Sequence, residues 1–380
     1  MGPLNGLRVL EFGAIGPVPF CGMTLADMGA DVLRIDRPSA ATDARGRSDP
    51  LGVLDRGKRS ALIDLKHPRG AQAALRLVER ADALIEGFRP GVMERLGLGP
   101  GPCLDRNPRL VYGRLTGWGQ RGPLASAAGH DINFVAMTGA LHATGERGRA
   151  PVPPLNLVGD FGGGGALLAQ GVLAALWRAA RSGHGQVVDA AMVDGAAQLM
   201  AWIYGEYAEG RWQDARGSNE GDGGRPYFRV FETGDRRHLA VGAIEPRFFA
   251  ELRARIGLDD PALRDHTDPS TWAALDARLS AIFATRTRDE WCALFDGTDA
   301  CVSPVLSLEE APGHPHNRAR GVFIEVDGVV QPAPAPRFDA TPGAVRSPPP
   351  RPGAHTRGAL AEWGVPDEEI DALSRLGAIA

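Results

Sequence analysis

The sequence lacks most of what would place it in a specialised class. It has four cysteines, Cys21, Cys103, Cys292 and Cys301, none in C-x-x-C spacing. That excludes a disulfide framework and a structural zinc site and leaves buried or free thiols in a reducing compartment. No run reaches the roughly 18–20 apolar residues of a membrane span, and the chain opens on an apolar strand pattern rather than on a basic and then apolar leader. Gly377-Ala378-Ile379-Ala380 is not a peroxisomal address, so a cytoplasmic location is expected. The net charge is −4 with lysine and arginine spread throughout. Without a basic domain, nucleic acid is not an expected partner.

Glycine (50) and proline (30) are abundant, about a fifth of the 380 residues, against about 12% in an average protein. Hydrophobic content is nevertheless 43% and no region repeats, so the chain reads as a loop-rich globular protein. Its length suggests roughly two or three domains, and we expect two.

The first third alternates strand and helix patterns. Leu7 to Phe12, Asp31 to Ile35, Ala61 to Leu65 and Ala83 to Ile85 read as strands. Residues 17–28 and 69–80 read as helices, the latter with Ala71, Ala74, Leu75 and Val78 on one stripe. Repeated βαβ units predict an α/β fold with a Rossmann-like parallel sheet. Gly13-Ala14-Ile15-Gly16-Pro17 and the run from Gly162 to Gly165 both miss the G-x-G-x-x-G spacing, so a nicotinamide cofactor is disfavoured.

Asp160, ahead of that glycine run and a long apolar helix, is placed near an N-cap, with glycines that would let a ligand approach free backbone amides. A strand follows at 186–190, and the polar, Gly-rich stretch from Tyr207 to Arg225 reads as an interdomain connection. A hairpin turning at Gly234-Asp235 and helices over 246–255, 272–284 and 288–295 suggest a smaller α+β domain. A strand near 322–326, a Pro-rich run and two short helices close the chain. The predicted division is 1–200 for the large domain, completed by about 330–380, a linker at 201–225 and a small domain at 226–320.

Three side chains stand out for proton chemistry. His130 lies in Gly129-His130-Asp131-Ile132-Asn133, Asp160 follows Val158-Gly159, and Glu245 precedes Pro246. Their separations forbid one helix face or strand, so they would converge from separate elements. Taken singly, each also fits a structural role: a satisfied histidine, an N-cap aspartate, a helix-opening glutamate.

Several ordered phrases carry a resemblance to a known family. Gly57-Lys58-Arg59-Ser60, Asp64-Leu65-Lys66, Gly119-Gln120-Arg121-Gly122-Pro123, Gly185-Gln186-Val187-Val188-Asp189 and Pro334-Ala335-Pro336-Arg337-Phe338 resemble the family III CoA-transferase (CaiB/BaiF) group over nearly the whole chain. The segments around His130, Asp160 and Glu245 are similar to its racemase branch, which acts on 2-methylacyl-CoA thioesters.

The resemblance implies that His130 and Asp160 flank the α-carbon. One removes a proton and the other returns one to the opposite face of a planar enolate. It implies that Glu245 fixes the His130 tautomer from the smaller domain. The backbone amide of Asp131 would serve the thioester oxyanion. For the nucleotide end it implies Arg37, Arg89 and Arg95, with Ile63, Asp64, Leu65 and Lys66 along the adenine and Gly87 and Phe88 beside Arg89. Gly129, Ile132, Asn133 and Phe134 would carry the pantetheine and thioester.

An interlocked homodimer is implied, with each site between the large domain of one subunit and the small domain of its partner. No metal or redox cofactor is implied, because coenzyme A is part of the substrate and the thioester itself acidifies the α-proton. Two alternatives stay open. One is CoA transfer between carboxylic acids with Asp131 as nucleophile; the other is CoA binding without turnover. Asp131 fits equally a carboxylate bonded to backbone.

Overall fold

The computed structural model describes residues 2–39 and 52–380, which fall into two compact units. The first comprises Met1–Thr138, Leu155–Met200 and Arg320–Ala380; the second comprises Gly139–Pro154 and Ala201–Ala319.

The first unit is built on strands β1 (Arg8–Phe12), β2 (Asp31–Asp36), β3 (Arg59–Leu62), β4 (Ala83–Glu86), β5 (Val111–Thr116) and β6 (Gln186–Ala191). They form one parallel sheet in the order β3-β2-β1-β4-β5-β6. Its helices are α1 (Pro17–Asp27), α2 (Pro68–Val78), α3 (Val92–Arg95), α4 (Pro100–Arg106) and α5 (Asp131–Ala136). The second unit contributes α6 (Ala140–Ala143), and α7 (Leu167–Ser182) and α8 (Met192–Leu199) return to the first.

Strand side chains alternate between two apolar cores. Leu10, Phe12, Leu33 and Ile35 join Leu77 of α2 in one, and Val9, Val32 and Ile85 join Leu25 of α1 and Val172 of α7 in the other. Both faces being covered, β4 and β5 are buried at every residue, whereas the edge strand β6 is exposed along its first half. The strand order reverses between β1 and β4, so the crevice beyond their carboxyl ends is where such a sheet takes a ligand.

A π-helical segment, Leu157–Ala166, runs directly into α7. Asp160 therefore sits inside the first turn of a helix that starts at Leu157, not at a cap next to the glycines. The glycines face protein rather than a ligand. A β-carbon on Gly165 would lie 2.5 Å from the Pro17 carbonyl oxygen, and one on Gly163 would lie 2.6 Å from the Ala196 nitrogen. Bare backbone is what lets this segment press onto α1 and α8. Counted through the π segment, the helix spans 26 residues with a mean hydropathy of 1.2 in its most apolar window, long and apolar enough to match a membrane span, contrary to the sequence expectation. Leu168 and Val172 are buried in the sheet-facing core, which gives that apolar surface a protein partner.

The second unit continues with α9 (Ala201–Ala208), the hairpin β7 (Phe228–Glu232) and β8 (His238–Gly242), α10 (Pro246–Ile256), α11 (Trp272–Phe283), α12 (Arg288–Phe295), β9 (Val302–Pro304), which pairs with β8, and α13 (Pro315–Arg320). Residues 139–154, which the sequence placed in the large domain, group here: His142 pairs with Asp214 at 3.2 Å, and Arg216 donates to the Arg149 carbonyl. The start of the stretch expected to be a linker is α9.

The hairpin β10 (Phe323–Val326) and β11 (Val329–Pro332), then α14 (Thr356–Glu362) and α15 (Asp367–Arg375), complete the first unit. The segment before α14 covers the edge of β3: the Leu62 amide donates to Thr356 Oγ1, the Ser60 amide to His355 Nδ1, and Ile63 bridges Ile379.

Candidate active site

A cleft of about 910 Å³ opens at the carboxyl ends of β1 and β2. Its apolar wall includes Ile63, Leu65 and Phe88, and its cations are Arg34, Arg37 and Lys66. Arg34 is already occupied, bound to Asp36 at 2.9 Å and to Asp55, and those carboxylates hold its guanidinium more firmly charged than usual. The side chains of Arg37 and Lys66 have no partner among the described residues, so theirs is the positive charge left for an anionic ligand. Of the residues expected at the nucleotide end, Arg37, Ile63, Asp64, Leu65, Lys66 and Phe88 line the cleft. Gly87, Arg89 and Arg95 do not. Gly87 instead lets the end of β4 approach α1, where a β-carbon would lie 2.9 Å from Val18 Cγ2. Arg89 and Arg95 are exposed.

The cleft is supported from beneath by buried charge. Lys58 and Glu11, both fully buried, pair at 2.7 Å, and Lys58 also donates to the Pro19 carbonyl and to Asp55. Burial raises the Glu11 carboxyl above its ordinary range, and Lys58 opposes that rise. Asp55 thereby links a core ion pair to the cleft wall. A second link runs from Glu86, which accepts from the Phe88 amide at 2.7 Å and is paired with Arg114.

The candidate bases lie in the same unit. His130 is the N-cap residue of α5, and its backbone N–H donates to Asn133 Oδ1 at 3.0 Å. This short side-chain bond explains why the helix begins there. Asp160 approaches from the π segment, and its half-buried carboxylate accepts weakly from Asn156 Nδ2 at 3.4 Å. Burial raises the Asp160 carboxyl; Asn156 opposes the rise, Asp131 adds to it, and the charge of His130 lowers it.

Asp131 is buried, and its Oδ1 accepts from the Asp160 backbone N–H at 2.7 Å. Of the two readings of that side chain, the bond to backbone is the one found, and an occupied, buried carboxylate is poorly placed to attack a thioester. As the first residue of α5, Asp131 has a backbone amide without an acceptor in its own helix.

Ile132 is exposed on the same turn, as is Asn133. Phe134 differs from expectation: it is buried, set edge-on to Trp118 with centroids 4.8 Å apart, and occupies the space where side chains on Gly117 and Gly129 would be. It anchors α5 to the core, and Gly129 is glycine to make room for it. Glu245 lies in the second unit, exposed at the N-cap of α10. The adjoining Ile244 carbonyl is held by His266 Nε2 at 2.7 Å. Asn156 was not singled out in the sequence; a carboxamide four residues before an acid at a helix start is the signal that could have found it.

One loop joins the cleft to the bases. Gly13, Ala14 and Ile15 line the cleft, while a β-carbon on Gly16 would lie 3.5 Å from Asp160 Oδ2. A ligand extending along residues 13–16 would run from the cations to the carboxylate.

Comparison with known proteins gives the family. The profile of CoA-transferase family III matches residues 4–356. The chain is 45% identical to an alpha-methylacyl-CoA racemase of Mus musculus over 372 residues, 97% of this chain and 95% of the relative. It is 44% identical to that of Homo sapiens over 374 residues, 98% and 96% of the two chains. A crystal structure of a CaiB/BaiF family protein from Brucella suis superimposes with a TM-score of 0.82 at 28% identity, covering 95% of this chain and 99% of the other. Match and identity extend along almost the entire sequence, so the chain belongs to CoA-transferase family III.

Proposed function

We propose that this protein is an α-methylacyl-CoA racemase that epimerises C2 of 2-methylacyl-CoA thioesters by proton transfer between His130 and Asp160. The observation that carries the reading is the continuity of cleft and bases through residues 13–16, with Arg37 and Lys66 at one end and Asp160 at the other.

The chemistry needs one base and one acid at a time. With His130 neutral and Asp160 protonated, His130 Nε2 or Nδ1 takes the C2 proton, the electron pair moves into the thioester to form the enolate, and Asp160 delivers its own proton to the opposite face. His130 ends as imidazolium and Asp160 as carboxylate, and the pair is then set for the reverse direction. An Asp160 carboxyl held above its ordinary value by burial favours the protonated starting state. The amide of Asp131 stabilises the oxyanion, and Glu245 is proposed to fix the imidazole tautomer. Arg37 and Lys66, the two cleft cations without a partner among the described residues, serve the nucleotide phosphates. No metal or redox group takes part, because coenzyme A enters and leaves with the acyl group.

Assembly as an interlocked homodimer belongs to the same proposal. It is supported by α9, which has no buried residue and exposes Trp202 and Tyr207, aromatic side chains of the kind that protein interfaces favour.

The test is proton NMR on (R)- and (S)-2-methylacyl-CoA incubated separately with the protein in D₂O, with a carboxylate acceptor in a parallel tube. Deuterium at C2 with convergence of the two epimers is the expected result. Absence of exchange, with CoA appearing on the acceptor, would replace the racemase with a transferase.

A further inference from the structure

The Asp131 side chain has no part in the two-base scheme, yet it is buried and bonded to the backbone of Asp160. Its Oδ1 is 2.7 Å from the Asp160 amide nitrogen, across 29 residues of sequence. Room for that carboxylate is made by Gly159, where a β-carbon would lie 2.4 Å from Oδ1 and 3.1 Å from Val135 Cγ2. His130 precedes Asp131 directly and is locked to the same turn by Asn133. One carboxylate thus joins the chain segment bearing one base to the segment bearing the other.

We propose that Asp131 is a positioning residue whose carboxylate fastens the backbone of Asp160 to the N-terminus of α5 and so fixes the separation of the two bases. This deepens, and rests on, the racemase reading. A hydrogen bond from a neutral amide to an ionised acceptor is a strong and directional tether. The scheme needs one, because both bases must sit within hydrogen-bond reach of a single carbon from opposite faces. Four consecutive residues of the π segment are glycines, which bring no side-chain hydrogen bonds of their own to fix its register.

The experiment compares Asp131→Ala with Asp131→Asn. An asparagine Oδ1 still accepts from the Asp160 N–H, whereas alanine leaves that donor unpaired. For Asp131→Ala the C2 exchange kcat should fall about 10²-fold, the size of a roughly 1 Å misplacement, with KM changed by less than about threefold. The loss should be larger for whichever enantiomer is more affected by Asp160→Asn, an asymmetry that general loosening of the fold would not produce. Backbone hydrogen exchange followed by mass spectrometry should show residues 157–163 deprotected in Asp131→Ala and protected in Asp131→Asn. Asp131→Asn should keep exchange within about threefold of the parent.

Full activity in Asp131→Ala would overturn the proposal. So would loss of activity in Asp131→Asn with protection retained, because the charge or nucleophilicity of the carboxylate would then be what matters. If the parent protein shows no C2 exchange, the racemase reading fails, and unchanged protection in Asp131→Ala would separately remove the tether.

Discussion

Replacing Lys58 with methionine tests the buried charge beneath the cleft. Lys58 and Glu11 are both 0% exposed at the side chain, and the ammonium reaches Glu11 Oε2 at 2.7 Å, Glu11 Oε1 at 2.9 Å, the Pro19 carbonyl at 3.0 Å and Asp55 at 3.1 Å. α1 lies directly on the pair, since a β-carbon on Gly22 would fall 1.8 Å from Glu11 Oε2. Methionine keeps the unbranched stem as far as Cε but removes the ammonium, leaving Glu11 and the Pro19 carbonyl without that donor. Breaking a buried pair from one side costs about 3–5 kcal/mol, and at about 2–4 °C per kcal/mol for a unit of this size the Tm should fall by about 6–20 °C.

Two further features distinguish this mechanism from simple cavity formation. In Lys58→Met the attraction that lowered the Glu11 pKa is gone, while burial still raises it. A carboxyl raised in the fold adds stability below its unfolded pKa and loses it as pH rises through the folded value, so the deficit should shrink as pH falls from 7 toward 5. The double variant Glu11→Leu/Lys58→Met removes both charges and should recover most of the loss, because replacing both members of a buried pair is often neutral. Scanning calorimetry on the parent, both single variants and the double variant gives the cycle. A deficit in Lys58→Met below about 1 kcal/mol, or a double-variant deficit equal to the sum of the single ones, would refute the reasoning.

Gly195→Ala should destabilise the protein by more than about 2 kcal/mol in urea titration, because its β-carbon would lie 1.9 Å from the Gly163 carbonyl oxygen, which is backbone and cannot swing away. His355 accepts from the Ser60 amide, and its pKa is lowered by burial and then by Arg59, with Glu362 opposing. The unfolded chain takes up that proton near pH 6.5, so the contribution is complete above this pH and is lost as pH falls toward the lower folded value; His355→Asn should remove this part of the pH dependence. Arg37→Ala should weaken CoA binding about 10–100-fold by isothermal titration, the loss of charge-assisted hydrogen bonds worth about 1.5–3 kcal/mol. Arg34→Ala should appear mainly as lost thermal stability, since its guanidinium is already taken by Asp36 and Asp55.

Much of the fold was legible because its signals are local. Apolar strand runs and the helical stripe of α2 recur within windows shorter than 20 residues, and β1, β2, β4, α1 and α2 fall where those patterns lie. β5 was missed: Gly113 and Arg114 interrupt its apolar run, and Arg114 is tolerated only because Glu86 and Glu94 neutralise it from distant positions. The grouping of residues 139–154 with the second unit depends on contacts such as Arg216 with the His142 and Arg149 carbonyls, which no periodicity encodes.

At the site, residue types pointed to His130 and Asp160, but their surroundings were hidden. The glycines after Asp160 look like an anion-binding loop until the helices that press on them are seen. Phe134 looked like a substrate contact because it shares a segment with His130, yet the helix turns it inward. The bond from the Asp160 amide to Asp131 spans 29 residues and leaves no pattern in either segment.

The covering of β3 by the segment before α14 has a consequence for biosynthesis. Pro350 and Pro352 line the cleft, Gly353, His355 and Thr356 bond to β3, and Ile379 bridges Ile63. A nascent chain emerging from the ribosome can therefore pair β1 with β2 early, but the wall of the cleft is unfinished until residues made some 300 positions after β3 have folded back onto it. Until then β3 is an open sheet edge, and its four-residue length is what limits pairing with a neighbouring chain.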